Sequence, residues 1–291
     1  MRNKLYLLLV VLLFSSLFYS VTSEDTLPEL GDASSASISL SGEYSLGRLW
    51  LAMYRGNTKE HSDPLMRTYL EDLIYRLSET SEVRDRRFEF LILEEKSINA
   101  FAAPGGIIGI NLGMFLNTQK EGELAAVMCH ELAHLSQRHY ARSQNKSSPL
   151  ANALMILGSI AVAAASRNPE AIMIAPAAMQ QMSINYTRSN EKEADRIGFN
   201  NLVKAGFDPN DMSLIFQRMQ DKYQNEDSEQ FSYLMTHPLP SERLTDMRVR
   251  SDLVKKTSNN NFRNNIDFYF MQKRAEIWAE NDYKRSIKKY K

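Results

Sequence analysis

Residues 127–139 read VMCHELAHLSQRH and hold three of the chain's five histidines. His130 and His134 are four residues apart. On an α-helix that is about 400° of rotation, so the two imidazoles stack on one face and can share a tetrahedral zinc ion. Glu131 lies about 100° round from His130, poorly placed to ligate but able to reach a water on the metal. A carboxylate there can take that water's proton and later hand it to a leaving amine. H-E-x-x-H on a helix is therefore a compact apparatus for hydrolysing peptide bonds.

Two histidines leave the metal short of a third protein ligand. A metzincin-type continuation would need Gly at 137 and His at 140, whereas the chain has Gln137 and Tyr140. His139, about 140° from His134 on a continuous helix, reads as a surface histidine or one that supports a ligand from behind. NEKEADRIGF (190–199) supplies better donors. Glu191 and Asp195 share a helix face at i, i+4. Glu191 could complete the metal site while Asp195 accepts a hydrogen bond from a ligating imidazole. Glu193 is the rival ligand, pointing about 200° away from Glu191.

The elements that must carry these groups follow from pattern and punctuation. Asp63-Pro64 is an N-cap followed by Pro at the first helical position, and Leu65, Tyr69, Leu73 and Leu77 form one apolar stripe behind it. Alternation through Arg87–Phe90 into Leu91–Leu93 marks a strand. SINAFAAPGGIIGINLGMF (97–115) reads as an extended segment, a Pro-Gly-Gly turn, and a strand entering a helix. Helical sequence follows at about 121–142 and 177–205. A further helix starts at Asp208-Pro209, and another follows the constrained loop HPLPSER (237–243). Residues 266–280 and 283–291 read as a helix pair after an Asn-rich linker, with the second resembling half of a tetratricopeptide unit. Such a pair cannot bury its own face, so it docks on the main domain or belongs to a longer protein.

HELAH, then Glu-x-x-x-Asp on a helix, with NAFAAPGG before and HPLPSER after, resembles the BepA- and HtpX-type gluzincin peptidases, relatives of the CAAX prenyl proteases. The periplasmic BepA-like branch matches best, over roughly residues 45–250. The resemblance implies an α+β, mostly helical, zincin-like domain, with a small antiparallel sheet whose edge strand lines the active site. It implies one Zn2+ held by His130, His134 and Glu191, with Glu131 as general acid/base and Asp195 behind a ligand. It suggests His237 as a fourth ligand that latches the enzyme off. Arg243 is similar to a family arginine near the site, with pairing to a carboxylate as its other reading. Asn99, Ala100 and Phe101 match the edge strand, along which an extended peptide would add, although core packing would also account for Phe101.

The implied function is a zinc endopeptidase degrading misfolded or stalled envelope and outer-membrane proteins. The alternative is a chaperone or assembly factor working with the outer-membrane assembly machinery. The expected organisation is a signal peptide at 1–23, a loose leader at 24–44, the peptidase domain at 45–257, and a partial tetratricopeptide-like hairpin at 266–291. The basic n-region, apolar run and small residues before Glu24 point to export to the periplasm rather than to a membrane anchor. The apolar run 149–165 reads as a buried or site-covering hairpin, with peripheral membrane contact as its other reading. Thirty-five basic residues balance thirty-five acidic ones, so nothing in the charge favours nucleic acid. The single cysteine, Cys129, cannot form an internal disulfide and is expected to be buried in the helix.

Overall fold

The computed structural model describes residues 38–56, 58–144, 186–225, 232–255 and 265–280. Ser39 caps the first helix among the described residues, α1 (Leu40–Arg55), accepting from the Gly42 N–H. The chain is thus helical from Leu40, inside the stretch expected to be a loose leader. An amphipathic run with a serine cap suffices to form that helix once β-strands offer it an apolar surface. Asp63 caps α2 (Pro64–Glu79) as expected, accepting from the Leu65 and Met66 N–H groups. Its buried face runs through Met66, Tyr69, Leu70, Leu73, Ile74 and Leu77. Leu65, the first residue of the expected stripe, is instead 56 % exposed. In the first turn Met66 takes the inward position, three residues before Tyr69.

Three strands follow: β1 (Glu89–Leu93), β2 (Ala100–Ala103) and β3 (Ile107–Asn111), in the order β1-β3-β2. β1 runs parallel to β3, and β2 antiparallel to it. The sheet is therefore mixed rather than antiparallel. The six residues between β1 and β2 carry the chain past β3's place, so only the β2–β3 hairpin is locally connected. Pro104-Gly105-Gly106 makes that hairpin turn, with φ of 77° at both glycines, a region where a side chain would be strained. Lys59–His61 pairs along the far side of β1, the His61 N–H donating to Ile92 O at 2.7 Å.

After the short α3 (Leu112–Asn117) comes α4 (Glu121–Ser136), which carries HELAH. Every residue of α4 from Glu121 to His134 is buried. A helix apolar nearly all round is a central one. Cys129 is fully buried within it, as expected, and burial pushes its thiol pKa well up. The helical run expected to reach residue 142 breaks instead at Gln137-Arg138, where Arg138 adopts φ 51°, and restarts as α5 (His139–Gln144). Beyond residue 185 come α6 (Arg188–Lys204), α7 (Asn210–Asn225), the short α8 (Ser232–Thr236) and α9 (Ser241–Lys255).

α10 (Ile266–Ala279) buries Phe268, Met271 and Ala275 in the main core. It is tied down by Gln272 Nε2 donating to Thr118 O and by Arg274 donating to Asp63 at 2.6 Å. The first helix of the expected C-terminal pair thus docks on the domain. Its second helix, the apolar run 149–165 and the N-terminal segment 1–23 lie outside the described residues. No helix among the described residues is long and apolar enough to cross a membrane.

Candidate metal centre

Two helices and one loop build the site. α4 contributes His130, Glu131 and His134; α6 contributes Glu191 and Asp195. The packing of α6 on α4 is close because Gly198 meets the helix backbone, where a Cβ would come within 3.0 Å of Cys129 and His130 backbone atoms. Thr187 caps α6, accepting from the Asn190 N–H and aligning the first turn so that Glu191 faces inward. α8 ends in the HPLP loop: the His237 N–H donates to Tyr233 O at 2.8 Å, and the two rings stack with centroids 4.6 Å apart.

His130 Nε2 lies 3.0 Å from His134 Nε2. Glu191 faces both rings, Oε2 at 3.4 Å from His130 Nε2 and Oε1 at 3.4 Å from His134 Nε2. His237 Nδ1 stands 3.1 Å from Glu191 Oε1 and 3.4 Å from His130 Nε2. One donor atom from each of these four buried residues lies within 4.8 Å of the others. Tetrahedral zinc with bonds of about 2.0–2.1 Å would set neighbouring donors roughly 3.4 Å apart. The separations and the imidazole–carboxylate chemistry of the set both fit that ion. The rival Glu193 is turned away, its Oε2 3.1 Å from His139 Nε2 and 2.9 Å from Arg142 Nη1.

Charges around this cluster are graded. Asp195 Oδ1 sits 3.0 Å from His130 Nδ1, and the two oxygens of its carboxylate take Arg243 in parallel, Nε donating to Oδ2 at 2.6 Å and Nη2 to Oδ1 at 2.7 Å. The same guanidinium reaches Glu191 Oε2 at 2.8 Å and donates to Pro238 O at 2.6 Å. Arg243 therefore pairs with carboxylates, the second of its two readings, and ties the HPLP loop to α6. Burial alone would raise the Asp195 pKa, but Arg243 and His130 outweigh it and hold the carboxyl below its ordinary value. Glu191 is likewise held well below the carboxylate range, its burial overcome by the neighbouring His237 and His130. Burial also lowers the His134 pKa far below normal, reinforced by the His130 and His237 rings. It is thereby a neutral imidazole, the form that ligates metals.

Glu131 is the exception among the acids. Burial raises its pKa, against the pull of His237 and His130. Its Oε2 accepts the Ala102 N–H from β2 at 3.1 Å, while Oε1 is buried, has no hydrogen-bond partner among the described residues, and lies 3.6 Å from His237 Nε2. Of the expected edge-strand residues, Ala100 and Phe101 lie in β2. Asn99 immediately precedes it, its carbonyl accepting the Asn111 N–H at 3.0 Å. The Phe101 ring packs on Trp50 and Tyr54, with centroids 5.7 and 5.9 Å away.

Ala102, Tyr186 and Tyr233 border the centre without having been singled out for contact with it, whereas His139 sits behind His134, the second of its two readings. Tyr186 stacks on His134 at 3.8 Å. For Ala102 the alternation of the strand was the available signal; for the tyrosines, brought in from distant segments, there was none.

A buried His–His–carboxylate set with a second, unliganded glutamate beside it defines a metallopeptidase centre. The chain belongs to peptidase family M48, whose model matches residues 64–251. A Vibrio cholerae protein named as a beta-barrel assembly-enhancing protease is 41 % identical over 230 residues, 77 % of this chain and 47 % of that protein. The beta-barrel assembly-enhancing protease of Escherichia coli is 35 % identical over 262 residues, covering 87 % of this chain and 52 % of its own. The mitochondrial metalloendopeptidase OMA1 of Schizosaccharomyces pombe is 26 % identical over 197 residues, 66 % of this chain and 56 % of its own. The chain spans about half the length of these curated relatives.

Proposed function

We propose that this chain is a zinc-dependent endopeptidase of the bacterial periplasm that hydrolyses misfolded or stalled envelope and outer-membrane proteins. The observation that carries the proposal is the convergence of His130, His134 and Glu191 on one buried point, with Glu131 beside it and outside the donor set. In this reading His130, His134 and Glu191 hold the ion. Zinc, when bound, supplies Lewis acidity that polarises the scissile carbonyl and makes water nucleophilic at neutral pH.

The protein supplies the remaining steps. Glu131, its pKa raised by burial, accepts the nucleophile's proton and returns it to the departing amine. The Ala102 N–H holds one carboxylate oxygen and leaves the other directed into the site. Asp195, charged and clamped by Arg243, orients His130. An extended substrate would lie along the Asn99–Phe101 edge, recognised through its backbone rather than its side chains, which suits unfolded chains of mixed sequence. The relatives named as beta-barrel assembly-enhancing proteases support the envelope substrate class.

The test is hydrolysis of casein or an unfolded outer-membrane protein by the purified chain and by Glu131→Gln. Loss of general acid–base catalysis should cost about 10²–10⁴-fold in rate with zinc content unchanged. Equal cleavage by the two stoichiometrically loaded proteins would refute the mechanism.

A second reading rests on His237, whose Nδ1 stands among the donors. As a fourth ligand it would latch the centre, and the protein would act chiefly as a chaperone or assembly factor for outer-membrane proteins. His237→Ala should then raise proteolysis, and Glu131→Gln should still restore outer-membrane protein assembly in cells lacking the protein.

A further inference from the structure

The bend after HELAHLS places a third histidine behind the second. α4 ends at Ser136, Arg138 takes the left-handed conformation, and its guanidinium Nε donates to Glu43 Oε2 at 3.0 Å. On an unbroken helix His139 would face about 140° away from His134. With the break it is fully buried, and its Nδ1 comes within 2.9 Å of His134 Nδ1. Its other nitrogen, Nε2, lies 3.1 Å from Glu193 Oε2, a carboxylate also bound by Arg142 at 2.9 Å.

This geometry sets proton positions. A carboxylate of this kind only accepts, so the His139 Nε2 carries hydrogen and donates to Glu193. The neutral ring then has its lone pair on Nδ1, and the 2.9 Å contact requires His134 Nδ1 to be the donor. That leaves the lone pair of His134 on Nε2, the atom facing His130 and Glu191. The same result is reached differently at His130, whose Nδ1 faces the Asp195 carboxylate directly.

We infer that His139, backed by Glu193, is a positioning residue that fixes the tautomer and ring plane of His134 so that Nε2 is presented to the metal. The inference rests on the zinc reading above and adds to it a second support, carried by the residue five positions past HExxH. Glu193, the rejected ligand candidate, thereby has a role one imidazole removed from the centre.

The experiment measures zinc affinity of the full chain by competition with a chromophoric chelator, and the visible spectrum of the cobalt-substituted protein. His139→Leu removes the acceptor and should weaken zinc binding 10–100-fold, the usual cost of losing such a partner, and shift the cobalt bands. His139→Gln keeps an oxygen that can accept from Nδ1–H and should recover most of the affinity. Wild-type zinc affinity and an unchanged cobalt spectrum in His139→Leu would overturn the inference. So would equal losses in the Leu and Gln variants, which would indicate packing alone. Should His139→Leu melt early without zinc, the partly exposed Glu193→Ala decides: several-fold weaker binding supports the relay, and unchanged binding overturns it. A wild-type chain that binds no zinc would instead defeat the proposed function itself, so the two failures are distinguishable.

Discussion

Arg243 shows how single residues at this centre are coupled. One guanidinium pairs with Asp195 through two nitrogens, with Glu191, and with the Pro238 carbonyl, while only 3 % exposed. Removing one partner of a buried ionic group strands the other, which costs more than the pair contributes net. Arg243→Met should therefore destabilise the protein by about 3–5 kcal/mol, as measured by urea unfolding. It should also weaken zinc binding, because Asp195 loses the charge that holds its carboxyl ionised and Glu191 loses its guanidinium contact. Arg243→Lys should rescue little, since an ammonium cannot make the paired contacts with the Asp195 carboxylate.

Between elements, two contacts set the site's geometry from a distance. α6 lies against α4 through Gly198, and an added methyl group would meet Cys129 and His130 backbone at 3.0 Å, tight enough that the two helices would have to give way. Gly198→Ala should force the helices apart, costing about 1–3 kcal/mol, and should lower zinc affinity by separating Glu191 from His130 and His134. Asp63 joins α2 to α10, capping the one and accepting from Arg274 of the other. Partial burial opposes its ionisation, but the Arg274 bond and the Met66 and Leu65 N–H groups outweigh that and lower its pKa from 3.8. A depressed carboxylate stabilises the fold above its unfolded value and loses that contribution as pH falls through the folded one. Thermal melts between pH 5 and 2.5 should accordingly show a smaller acid-induced loss in Asp63→Asn than in wild type, with the mutant starting lower at pH 5.

For the molecule as a whole, the donor set joins α4, α6 and the HPLP loop, so metal binding should be linked to global stability. Free zinc at 1,000 times its dissociation constant would add about 4 kcal/mol. For a domain of this size that is on the order of 10 °C in Tm. Chelation should lower the melting temperature by about that much in wild type and by far less in His134→Ala. If the melting temperature of wild type were insensitive to chelator, the donor set would not be binding an ion in the folded state.

The spacing of His130, Glu131 and His134, the Glu191/Asp195 pair, the Asp63 cap and the Pro-Gly-Gly turn were all legible in the sequence. Each is a local matter, set within one helical turn or one hairpin, where residue type and offset dictate which face a side chain takes. Tertiary structure alone decided that Glu191 rather than Glu193 faces the imidazoles, because that depends on which side of α6 packs on α4. It alone gave the parallel pairing of β1 with β3, which no adjacent turn encodes. It alone showed that the Ala102 N–H holds Glu131. The place of His139 was hidden for a sharper reason. The periodicity of the sequence implies a continuous helix, and only the left-handed Arg138, held by Glu43 some 95 positions away, turns the chain back beneath His134.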